Sequence, residues 1–183
     1  MPLPVSDIER ELVHTRRLRL EGYKRADGLW DIEAFLSDVK SHDFHLASGV
    51  RRACQEVHDM RLRMTIDREF NVIDVLAVSD AVPYPGGCEA IAPEYRKLIG
   101  LNLLRGFRKQ AAELLGGVQG CTHINELLGL LPTAAIQTFA GQMPERVDSG
   151  RKPFQLDQCH ALETSTETVR KYYPKWYRER KAG

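Results

Sequence analysis

Met60, Leu62, Met64 and Ile66 are apolar, and Arg61, Arg63, Thr65 and Asp67 between and after them are not. Successive side chains of a strand point to opposite faces, so this period of two predicts a strand with one wet face and one buried face. Such a strand needs sheet neighbours and an apolar cover over its inner side. Arg68 to Asn71 supplies a turn, and the β-branched run Val72 to Val82 returns as a partner strand. Pro83-Tyr84-Pro85-Gly86-Gly87 stops it, because proline cannot donate to a central ladder.

The same pattern extends upstream. Val13 to Arg25 reads as a strand, with Leu18 and Leu20 on one face. Ala26-Asp27-Gly28 is a hairpin turn, and Trp30, Ile32, Ala34 and Leu36 alternate with Asp31, Glu33 and Ser37, which reads as the returning strand in preference to a helix, the competing reading of a segment with no internal breaker. Residues 41–57 read as loop or short helix. After Cys88 the character changes. Glu89 to Leu115 carries Pro93, Gly100 and Gly106, which predicts a short helix and then a longer one, ended by Gly116-Gly117. Thr122 to Ala140 predicts a further helix with Ile124, Leu127, Leu128, Leu131, Ala135 and Phe139 on its apolar stripe and a kink at Pro132. Strands followed by helices make the fold class α+β: a small antiparallel sheet of about four strands, then a helical C-terminal half.

With 183 residues, one domain with a proper core is expected, taken as residues 1–144. Residues 145–183 form a C-terminal extension expected to pack on it through Tyr172, Tyr173, Trp176 and Tyr177. A formal net charge of +1 gives no electrostatic case for nucleic acid or a membrane surface as partner. Arg16, Arg17, Arg19, Lys24 and Arg25 read as a solvated edge, as do the basic residues from Lys171 onward. The start, Met1-Pro2-Leu3-Pro4, lacks the apolar core of a signal peptide, and no run is long enough to span a membrane, so a cytoplasmic location is expected. There Cys54, Cys88, Cys121 and Cys159 stay thiols or serve as ligands.

Two of these cysteines share a local frame. Gly87-Cys88 and Gly120-Cys121 each follow a turn and open a helical stretch, and Gly120-Cys121-Thr122-His123 adds an imidazole. A helix start is a positive backbone field that favours a thiolate. Cysteine and histidine together make an N/S set suited to zinc, to iron, or to an iron–sulfur cluster. Cys159-His160 is a second pair from the tail. Cys54 reads as incidental, and His14, His42 and His45 as surface residues.

Residues 58–140 resemble the iron–sulfur cluster scaffold proteins of the IscU/NifU type. The resemblance rests on His58-Asp59-Met60-Arg61-Leu62, Gly87-Cys88-Glu89-Ala90-Ile91-Ala92, Gly120-Cys121-Thr122 and Ala134-Ala135-Ile136. It implies that Cys88 and Cys121 match ligand cysteines and that His58 takes the place of the family's aspartate. The family's first cysteine falls at Glu56 and its histidine at Gly120, so His123 would supply the nitrogen, and the candidate metal ligands that the resemblance implies are His58, Cys88, Cys121 and His123. Over nearly its full length the chain also resembles a bacterial family of domains of unknown function. That resemblance rests on Gly22-Tyr23-Lys24-Arg25, Asp27-Gly28-Leu29-Trp30-Asp31-Ile32-Glu33, His58-Asp59-Met60, Pro83-Tyr84-Pro85, Gly120-Cys121-Thr122-His123 and Cys159-His160-Ala161. It implies no activity.

The expected function is metal or cluster binding by a carrier or accessory protein, with a partner metalloprotein or a second copy as partner. The competing classes are an enzyme with an open metal position, a closed structural zinc module, and thiol-based sulfur transfer. In the enzyme, Asp59, Glu89 or Glu126 would be the base. No phosphate loop, nucleophile elbow or HExxH pattern is present in the sequence.

Overall fold

The computed structural model describes residues 2–141 and 152–180. The chain divides into two compact units, Met1–Gln142 and Met143–Gly183. The first unit is α+β, as the alternation predicts. Its strands are β1 (His14–Lys24), β2 (Trp30–Lys40), β3 (Phe44–Leu46), β4 (Gly49–Arg51), β5 (Glu56–Ile66) and β6 (Val72–Ala81). Four of them form one antiparallel sheet in the order β1-β2-β5-β6, and β3 pairs with β4 in a separate small hairpin. The stretch read as loop or short helix thus holds that hairpin and the first residues of β5, Glu56 and Val57. Arg51 ties the hairpin down by donating to the Val82 carbonyl at 2.8 Å.

The even-numbered positions of β2 and β5 face inward. Ile32, Ala34, Leu36, Met60, Leu62, Met64 and Ile66 are all buried. On the outer side Arg19 lies over the Phe35 ring at 4.2 Å, and Arg63 pairs with Glu33 at 2.6 Å. Burying one apolar face at about 25 cal/mol per Å² is what makes this register worth keeping.

Helices cover the inner face. A 3-10 stretch spans Glu89–Leu98, α1 spans Phe107–Leu115 and α2 spans Thr122–Phe139. The predicted stripe of α2 is the buried one, and Pro132 lies inside a continuous helix. Along its length α2 is matched to β2. Trp30, at the start of β2, stacks on Phe139 at the end of α2, with ring centroids 4.4 Å apart. From Trp30 to Asp38 a strand covers about 26 Å, and from His123 to Phe139 a helix covers about 24 Å. The start of α2 therefore lies over the far end of β2. Gly22 permits this packing. A Cβ there would stand 1.9 Å from Thr138 Oγ1 of α2, so a side chain at that position would push the helix off β1.

The second unit holds 3-10 turns at His160–Leu162 and Pro174–Trp176 and a short helix, α3 (Glu167–Tyr172). Thr166 caps α3 by accepting from the Val169 N–H at 3.3 Å. Leu156 and Val169 are buried, while Cys159 and His160 are exposed. The polar stretch 142–151 lies outside the described residues.

Candidate metal site

The inner-face alternation of β2 does not end at Leu36. Its next member is Asp38, a carboxylate in a core position and 3% exposed. Cross-strand pairing sets Arg16 of β1 opposite Asp38, and Asp38 opposite His58 of β5. The row Arg16–Asp38–His58 thus forms the polar end of an otherwise apolar face. Register shifts lie on both sides of His58, one against β2 and one against β6. Bulges of this kind twist a strand and re-aim its side chains.

Asp38 accepts four hydrogen bonds. Arg16 Nε and His14 Nε2 reach Oδ1 at 2.8 and 2.9 Å. Arg16 Nη2 and His58 Nδ1 reach Oδ2 at 2.8 and 2.9 Å. Burial alone would push the Asp38 carboxyl up. The bonds from Arg16 and His14, the Arg16 charge and the His58 bond outweigh it and hold the group well below the usual carboxylate range. An ionised carboxylate only accepts, so His14 Nε2 and His58 Nδ1 carry their protons toward it.

From above, α2 adds His123 in its first turn. The His123 ring stacks on His58 with centroids 3.7 Å apart and planes tilted by 30°. His123 Nε2 is 4.0 Å from Asp38 Oδ2. Burial pushes both imidazoles below their ordinary value. The charge of His123 adds to this for His58, and that of Arg16 for His123, against the pull of Asp38. Both rings are therefore neutral at pH 7, the form that binds metals. One ligand atom from each of Asp38, His58 and His123 lies within 4.8 Å of the others, a grouping that could hold a metal ion.

Tyr95 places the helix that carries His123. This fully buried side chain stands in the 3-10 stretch. Its hydroxyl accepts the Cys121 N–H at 2.9 Å and donates to Asn125 Oδ1 at 2.8 Å. Burial pushes the phenol up to about 12, so it stays a donor. Asn125 in turn donates to the Leu115 carbonyl at 2.6 Å. A Cβ on Gly120 would lie 2.2 Å from that carbonyl oxygen, which explains the glycine before Cys121.

Two of the four expected ligands, His58 and His123, come together. Cys121 stays close, with Sγ 3.9 Å from His123 Nδ1, and its backbone rather than its thiol carries the helix start. Cys88 belongs to no group of three ligand-type residues among the described residues. It packs half-buried against the core, as a small hydrophobe does. His14 is not an idle surface residue, nor Arg16 a solvated edge charge, since both bind Asp38. Asp59 is no partner for His58. Neighbours on a strand face opposite sides, and Asp59 pairs with Arg61 at 3.4 Å. Glu89 accepts the Gly86 N–H at 2.8 Å in the turn before the 3-10 stretch. Glu126 meets Arg16 Nη1 at 2.5 Å. Asp38 itself was readable, because a carboxylate continues the core parity of Trp30, Ile32, Ala34 and Leu36.

No helix among the described residues is long and apolar enough to cross a membrane. One family model, described as Protein of unknown function (DUF2889), matches residues 14–137, about two thirds of the chain. The chain belongs to that family, and His14, Arg16, Asp38, His58, His123 and Glu126 all lie within the match. No curated protein and no solved structure matches it.

Proposed function

We propose that this DUF2889 protein binds a single divalent transition-metal ion through Asp38, His58 and His123. The observation that carries the reading is the convergence of one carboxylate and two imidazoles, all within 4.8 Å, at the junction of three separate elements. Metal bonds to nitrogen and oxygen are about 2.0–2.2 Å, so two donors share an ion when they stand less than about 4.2 Å apart. Asp38 Oδ2 lies 2.9 Å from His58 Nδ1 and 4.0 Å from His123 Nε2. The ion would replace the proton now shared by His58 and Asp38, and binding would release it. His14 and Arg16 Nε would hold the carboxylate at Oδ1, as partners behind a metal ligand commonly do, and Arg16 Nη2 would flank Oδ2.

Two imidazoles and one carboxylate favour a mononuclear zinc or iron ion over an iron–sulfur cluster, which needs several thiolates. Three protein ligands leave positions for an outside ligand, so the set favours a working site over a closed structural zinc module. The IscU/NifU likeness belongs to this proposal as well, since it also sets a metal near a helix opened by a cysteine. The cytoplasm remains the proposed location.

The test is equilibrium dialysis of metal-free protein against Zn²⁺ and Co²⁺. One ion per chain is expected. His58→Ala and His123→Ala should each weaken binding at least about tenfold, with Cys88→Ser unchanged. Equal binding by wild type and the double histidine variant would overturn the reading.

A further inference from the structure

The three proposed ligands sit beside a cation. Arg16 reaches Asp38 with Nε and Nη2, and reaches Glu126 with Nη1. Its Nη2 touches Oδ2, the same oxygen that faces His58 and His123. Glu126 follows His123 by three residues on α2, so the two share a face of the helix. The guanidinium thus runs from the carboxylate along the flank of His123.

Its two partners differ. The Asp38 side chain is 5% exposed and the Glu126 side chain 49%. The fork on Asp38 is fixed by burial and by two further bonds to the same carboxylate. Glu126 has no such support, and exposed ion pairs of this kind contribute little. Three of the five N–H donors of Arg16 are in use. One half of the guanidinium is structural, and the other half is held by a carboxylate that another carboxylate can displace.

Resting on the metal reading above, we infer that the open positions of the ion take a small chelating carboxylate anion, with Arg16 as its anchor and Glu126 as the group it displaces. An Arg fork matches a planar carboxylate in two parallel bonds, and the ion supplies the second point of attachment. The ligand class is a small acid that presents one carboxylate to Arg16 and further oxygen to the metal. Binding exchanges water and the Glu126 contact for these bonds and needs no redox step.

The probe is oxalate, added to Co²⁺-loaded protein and followed by the visible spectrum of the ion and by calorimetry. Oxalate should bind the loaded protein and not the metal-free one. Arg16→Gln should weaken oxalate binding at least about tenfold, the loss of a charge-assisted bond. Glu126→Gln should tighten it by a few-fold, because the internal competitor is gone. If Arg16→Gln fails to hold Co²⁺, the Glu126→Gln result decides. Co²⁺ binding without oxalate binding would overturn this inference and leave the metal site standing. So would oxalate binding unchanged in Arg16→Gln, or weakened in Glu126→Gln, or exceeded by that of inorganic phosphate. Absence of Co²⁺ binding by wild type would overturn both readings.

Discussion

The two ends of α2 rest on the same sheet face in opposite ways. At its last turn Phe139 packs on Trp30 and, with centroids 4.6 Å apart, on Phe70. The three rings pack on one another there, and the contact is the hydrophobic effect plus dispersion. At its first turn His123 packs on His58 over an ionised Asp38. That end buries charge and keeps it only because four hydrogen bonds meet one carboxylate. One end of the helix holds the fold together. The other end buries a charge and balances it with hydrogen bonds from three side chains.

The sharpest break in this comparison is Phe139→Ala. It should remove about 3–5 kcal/mol of stability, read by chemical denaturation, while metal binding at the other end persists under native conditions. Loss of binding in a still folded variant would show that the two ends are not separable. Next comes Asp38→Asn. It removes the buried charge and turns one of the two oxygens that Arg16, His14 and His58 share into a donor, and a loss of about 3 kcal/mol is expected. Metal binding should vanish with it in dialysis. Gly22→Ala tests the length match between helix and strand. Its Cβ meets Thr138, and about 1–3 kcal/mol is the usual cost of such overpacking. Thr138→Ala in the same protein should recover part of that.

The smallest effect is on pH. His58 and His123 have folded values below their ordinary one. As pH falls past about 6.5 the unfolded chain takes up protons before the folded one does, so stability declines. The Asp38 contribution is complete above the ordinary carboxyl value and is lost only at lower pH still, as the pH falls through its depressed folded value. Metal-free wild type should therefore weaken between pH 7 and pH 5, and the double variant His58→Gln, His123→Gln should flatten that slope. An unchanged slope in denaturation curves would show that the stacked pair is not what titrates.

Much of the sheet was legible because its physics is local. The alternation of Met60 to Ile66, the Asp27-Gly28 turn and the proline stop after Val82 each act within a few residues. The stripe and start of α2 were legible for the same reason. The site was half legible. His58 and His123 carry recognisable chemistry, but what joins them is cross-strand register, and neither Arg16 nor His14 shows in its own neighbourhood that Asp38 lies opposite. Stopping β2 at Leu36 hid the residue that organises the rest. Cys88 packs against the core and away from the Asp38, His58 and His123 group, and a glycine–cysteine junction reads the same in either setting.

Tyr95 refers the start of α2 to a segment outside the sheet. His58 and His123 are then brought into contact by two different supports. One ring is locked to β2 and β5 by Asp38, and the other is set by a phenol in residues 89–98. Changing Tyr95 to a shorter polar residue would shift His123 relative to Asp38 and His58 while every one of the three side chains is kept.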